Sequence, residues 1–109
     1  MQLPKIFGSR PRTQLLILLA LLEESHGAEL ARLLNLHYRS AVRMLVDLEE
    51  DGLVVSREVG RERRVSLNPR YYAFNELKAL LIKLSVRDQE TEAAAESLRR
   101  RPRRRAKPL

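Results

Sequence analysis

The sequence contains no cysteine and only two histidines, His26 and His37. Disulfides, thiolate nucleophiles and cysteine-based metal sites are therefore excluded, and the usage fits a reducing compartment. A long hydrophobic run is also missing. The longest, Leu15–Leu22, falls well short of the ~20 residues that cross a bilayer. Glu23 and Glu24 follow it where a cleaved leader would carry small residues, so a cytoplasmic protein without a membrane partner is expected. The third absence is net charge in the body of the chain. The total is +7, yet Arg99–Leu109 (RRRPRRRAKPL) carries six Arg, one Lys and no acid, leaving residues 1–98 neutral overall. A nucleic-acid surface on that body must come from local segregation of charge. Residues 37–46 hold Arg39 and Arg43 with no acid, and Asp47, Glu49, Glu50 and Asp51 follow.

What is present is one small domain's worth of chain, 109 residues with 44% hydrophobic side chains. Domains of this size have little stability to spare and often associate. A first helix is expected from about Ser9, an N-cap followed by Pro11, to a stop at Gly27. Its Leu15–Leu22 stretch is apolar on every face, which marks it as central. His26, beside that stop, reads as a partner of the helix dipole and is assigned no function. A short second helix fits Ala28–Leu34 and ends at Asn35, which tolerates the left-handed region.

A third helix fits Tyr38–Asp51, with Ala41, Met44 or Leu45, and Leu48 inward, Tyr38, Arg39, Ser40, Arg43 and Asp47 outward, and Gly52 at its end. Leu53–Glu58 and Arg63–Leu67 then read as strands of a hairpin turning through Gly60-Arg61, which sets Arg57 opposite Arg64. Two like charges facing each other suggest that an anion such as a phosphate joins them. After Asn68-Pro69, Tyr71, Phe74, Leu77, Leu80 or Leu81, and Leu84 outline a fourth amphipathic helix; its aromatics, Tyr72 included, read as core or dimer contacts rather than a stacking platform. Residues 87–98 read as an acidic, Ala-rich linker with at most marginal helix, and the basic tail as disordered. The expected class is α+β, mostly α with a small β-hairpin: a three-helix core, a two-stranded wing and a C-terminal helix within residues 1–86, and linker and tail over 87–109.

The stretch ELARLLNLHYRSAVRMLVDLEEDGLV (Glu29–Val54) resembles, without insertion or deletion, the winged helix–turn–helix of ArsR- and MarR-like transcription regulators. IFGSRPRTQLLILLALL and LNPRYYAFNELKALLIKL are also similar to winged-helix regions preceding minimal nucleotidyltransferase domains. Three positions depart from the pattern. Asn35 stands for the usual turn Gly, His37 for a Ser or Thr cap, and Ala41 for Val or Ile, which weakens capping and trims the core under the third helix.

The resemblance implies a third helix that enters the major groove of double-stranded DNA by its N-terminal half, with the wing on phosphates. The residues then implied are His37, Tyr38, Arg39, Ser40 and Arg43 on that helix and Arg57, Arg61, Arg63 and Arg64 on the wing. Arg39 and Arg43, four apart, share a face and can pair with guanine edges. A homodimer is expected through Leu15, Leu18 and Leu22 of the first helix and Phe74, Leu77, Leu81 and Leu84 of the fourth, an apolar area larger than one small domain covers. No metal, cofactor or catalytic residue is expected: the histidines lack ligand-like spacing, and the carboxylates at 47–51 read as a solvated helix face. A sequence-specific, dimeric transcriptional regulator is the leading expectation. A partner module of a separately encoded nucleotidyltransferase and a protein-interaction domain without DNA binding are the alternatives.

Overall fold

A computed structural model describes the backbone of residues 7–106 and the side chains of residues 7–98. Met1–Ile6 and Lys107–Leu109 lie outside the described residues, as do the side chains of the basic run from Arg99. The described chain folds as α1 (Arg10–Leu22), β1 (Ser25–His26), α2 (Gly27–Leu34), α3 (Tyr38–Glu50), β2 (Val54–Val59), β3 (Glu62–Leu67), α4 (Phe74–Ser85) and α5 (Gln89–Ala106). It is an α+β architecture with a three-stranded antiparallel sheet in the order β1-β3-β2.

Helix α1 begins as its sequence directs. Ser9 is extended and its hydroxyl accepts the Arg12 N–H at 3.3 Å, which satisfies a donor that has no partner within the first turn. The helix ends four residues earlier than expected: Glu23, at φ 72°, donates its N–H to Leu19 O, and Gly27 opens α2 instead of closing α1. His26 accordingly belongs to β1, paired with Arg64 of β3, and stands at the N-cap of α2 rather than at the C-terminal end of α1 where it would partner the dipole.

Leu15, Leu16, Ile17, Leu18 and Leu19 are all completely buried, because α2, β3, α4 and α5 surround α1 on its different sides. Complete burial of such a side chain stabilises by about 1.5–3 kcal/mol relative to exposure. This overturns two expectations. Leu15 and Leu18 are interior to a single chain rather than a dimer surface, while Leu22 is half-buried against the same core. The same holds for Leu77 and Leu81 of the α4 stripe, which are buried, while Phe74 and Leu84 are half-buried against the same core. Helix α4 also starts later than its pattern suggests. Tyr71 remains half-buried beside the core, but Tyr72, in the preceding turn, is 92% exposed and contributes nothing to it.

The area that seemed to need a second subunit is covered by α5, where a linker was expected. Thr91 and Ala95 are buried, and the start of the helix is tied to α1 by polar contacts. Gln14 donates from Nε2 to Asp88 Oδ2 and to Glu90 Oε1, both at 3.0 Å. Arg10 lies 3.5 Å from the buried Asp88 carboxylate. The helical backbone continues through Pro102 to Ala106, so the basic run is helical over most of its length where disorder was expected.

Candidate nucleic-acid interface

Two tight turns set the position of α3. Asn35 takes the left-handed conformation (φ 56°, ψ 48°), and the Leu36 N–H reaches back to Ala31 O at 2.8 Å, which closes α2 and redirects the chain within three residues. His37 occupies the N-cap of α3 in extended geometry and makes no side-chain cap bond, as its imidazole in place of a short hydroxyl predicts. Ala41, Leu45 and Leu48 are buried and hold α3 to the core. The other end is fastened by acids. Arg12 of α1 donates to Asp47 Oδ2 at 2.6 Å, and Ser56 of β2 donates to Glu49 Oε1 at 3.0 Å. Asp47 and Glu49 are therefore structural anchors and not a freely solvated face, whereas Glu50 and Asp51 are exposed.

This anchoring leaves His37, Tyr38, Arg39, Ser40 and Arg43 exposed together on the N-terminal half of α3. Among the described residues no carboxylate reaches Arg39 or Arg43. The first turn has no acid and the last turn no base, the reverse of what stabilises a helix dipole. The arrangement leaves a concentrated positive potential at the amino end of α3, from two arginines and the free N–H groups of the first turn.

The hairpin has the register that a two-residue Gly60-Arg61 turn predicts. Val59 faces Glu62, Glu58 faces Arg63 and Arg57 faces Arg64; Gly60 supplies the positive φ (65°) that a two-residue primed turn needs at its first central position. The anion joining Arg57 and Arg64 is, however, internal. Glu24, in the turn after α1, accepts from Arg57 Nη2 at 2.8 Å and lies 3.5 Å from Arg64 Nε. Arg64 also donates to Glu62 at 3.1 Å. Arg63 donates to Ser56 Oγ at 3.1 Å and stands 3.8 Å from Glu58. Arg61, at the tip, is the hairpin arginine that no described carboxylate reaches.

The two elements share a groove of about 530 Å³. Tyr38, Val42, Val46 and Glu49 of α3 form one wall and Arg61, Glu62 and Arg63 of the hairpin form the other, while His26 and Ala28 close its end. His26 Nε2 lies 3.2 Å from Glu62 Oε2 and ties β1 to the hairpin at that end. Of the arginines that no described carboxylate reaches, Arg61 lines this concave surface, whereas Arg39 and Arg43 of α3 are not among its lining residues. The sequence alone gives no reason to single out Glu24 or His26, since their partners lie 33 and 36 positions away.

No helix among the described residues is long and apolar enough to cross a membrane. Compared with known protein families, curated proteins and solved structures, the chain matches none.

Proposed function

We propose that the protein is a winged helix–turn–helix that binds double-stranded DNA sequence-specifically and acts as a transcriptional regulator. Helix α2, the Asn35 turn and α3 make the helix–turn–helix, and β2 and β3 make the wing. The observation that carries this reading is the pair of exposed, unpartnered arginines, Arg39 and Arg43, on the amino half of a helix whose other half is anchored internally through Asp47 and Glu49. Seating that half in a major groove places two forked donors at base edges, where guanine O6 and N7 accept both. It also brings phosphates toward an end of α3 whose charge arrangement is costly without them.

On the wing, Arg61 is the phosphate contact. Arg63 lies beside it on the groove wall, and Arg57 and Arg64 brace the hairpin through Glu24. The basic run from Arg99 adds a sequence-independent electrostatic attraction to any duplex. Selection of bound fragments from a random pool of duplex DNA tests the reading. A reproducible consensus supports it, and recovery of an unenriched pool overturns it.

A further inference from the structure

The groove between α3 and the hairpin contains two charges of opposite sign that the fold leaves uncompensated. Glu49 is half-buried there, and its carboxylate accepts from the Ser56 hydroxyl at 3.0 Å. Among the described residues no lysine, arginine or histidine comes within ion-pair distance of it. Arg63 stops on the far side of the same hydroxyl, at 3.1 Å from Ser56 Oγ, and stands 3.8 Å from Glu58. Charges withdrawn from water are ordinarily paired, and a carboxylate held by one hydroxyl keeps most of its acceptor sites free. Arg61 is the complementary case, a guanidinium on the same groove that no described carboxylate reaches. The other charged pair on the wall, His26 and Glu62, is satisfied internally at 3.2 Å. Between Glu49 and Arg61 the surface is apolar. Buried Leu45 and Val65 make its floor, and Tyr38 (59% exposed) and Val46 (48%) stand in water at its rim.

We propose that this groove binds a dipeptide with apolar side chains and free termini, its ammonium on Glu49 and its carboxylate on Arg61. The charges select a zwitterion, because a simple lipophilic anion or cation would leave the opposite charge unpaired. Their spacing selects a dipeptide over a single amino acid. The shared Ser56 hydroxyl sets the Glu49 carboxylate beside position 63, and Arg61 lies two positions further toward the tip. At ~3.3 Å per strand residue that is a separation of ~7 Å, which two extended residues span and the two groups on one α-carbon do not. An extended peptide turns successive side chains to opposite faces, one onto Leu45 and Val65 and the next toward Tyr38 and Val46. The cavity, about 530 Å³, falls within the ~300–1,000 Å³ of ordinary small-ligand sites. The inference does not depend on DNA binding.

Isothermal titration of the full chain, without DNA, with leucyl-leucine tests it. Saturable binding of one peptide per chain is expected, and leucine, N-acetyl-leucyl-leucine and leucyl-leucine amide should each bind about tenfold or more weakly, since each loses a charge-assisted contact or the span to make both. Glu49→Gln keeps an acceptor for the Ser56 hydroxyl. It is expected to weaken the free dipeptide about tenfold and to leave the N-acetyl form unaffected, and Arg61→Ala to do the same with respect to the amide form. The blocked peptides report on the wild type itself, so the test holds even where a variant fails to fold. No saturable binding at millimolar concentrations, leucine or a blocked peptide that binds as tightly as the free dipeptide, or a Glu49→Gln loss equal for the free and N-acetyl forms would each overturn the proposal.

Discussion

Arg57 and Arg64 face each other across β2 and β3 and share the carboxylate of Glu24. A repulsive cross-strand pair becomes a three-residue clamp that holds the hairpin to the end of α1. It also removes two of the four hairpin arginines from the supply available to an external anion.

Glu24→Gln should therefore loosen the hairpin rather than alter a binding contact. The pairs are partly exposed, so the loss of stability is about 0.5–1 kcal/mol. Urea unfolding at low and high salt checks this, since screening should shrink the difference between variant and wild type. A difference that grows with salt would contradict an electrostatic clamp.

The arginines of the hairpin should separate in DNA binding. Arg61→Ala is expected to reduce the slope of log affinity against log salt by about 1 without changing sequence preference, as loss of one phosphate contact does. Arg64→Ala, already engaged by Glu24 and Glu62, should leave the slope close to wild type. Equal effects of the two substitutions would mean that the clamp opens on binding.

Leu18→Ala empties a completely buried position and should cost about 2–5 kcal/mol. Because Leu18 is interior to one chain, the equilibrium between monomer and dimer of the folded protein should not change. Chemical denaturation and sedimentation on the same sample separate the two effects. A change in association with little loss of stability would return α1 to the dimer interface.

Asp88 is buried and accepts from Gln14. Asp88→Ala should destabilise by about 1–3 kcal/mol, the usual cost of losing such a buried bond. Hydrogen exchange should show the loss first in α5, because this contact and Arg10 fasten the start of that helix to α1. Uniform loss of protection across the chain would mean that α5 does not open separately.

Much of the fold is written in local pattern. The Ser9 cap, the Asn35 turn, the three-residue buried stripe of α3 and the hairpin register all follow from chemistry within a few residues, and each appears where that chemistry puts it. What local pattern does not reveal is which surface covers which. The apolar excess on α1 is covered by α5, whose Ala-rich sequence contains little to advertise burial beyond Thr91 and Ala95. Strand β1 is two residues long and owes its existence to pairing with β3, 40 positions later at Ser25–Val65. The site follows the same rule. Exposure of Arg39 and Arg43 follows from helical period, but the disposal of Arg57 and Arg64 depends on Glu24, which only the folded chain brings near.

The reading assigns base recognition to the amino half of α3, and Arg39→Ala and Arg43→Ala are each expected to cost about 1–3 kcal/mol on the preferred site. The most direct test is the ratio of affinities for the selected site and a scrambled duplex of equal length, measured at one salt concentration for the wild type and the Arg39→Ala/Arg43→Ala variant. The account predicts a large ratio for the wild type that collapses toward one in the variant while binding to the scrambled duplex persists. A variant that loses affinity for both duplexes by the same factor, keeping the ratio, would contradict it.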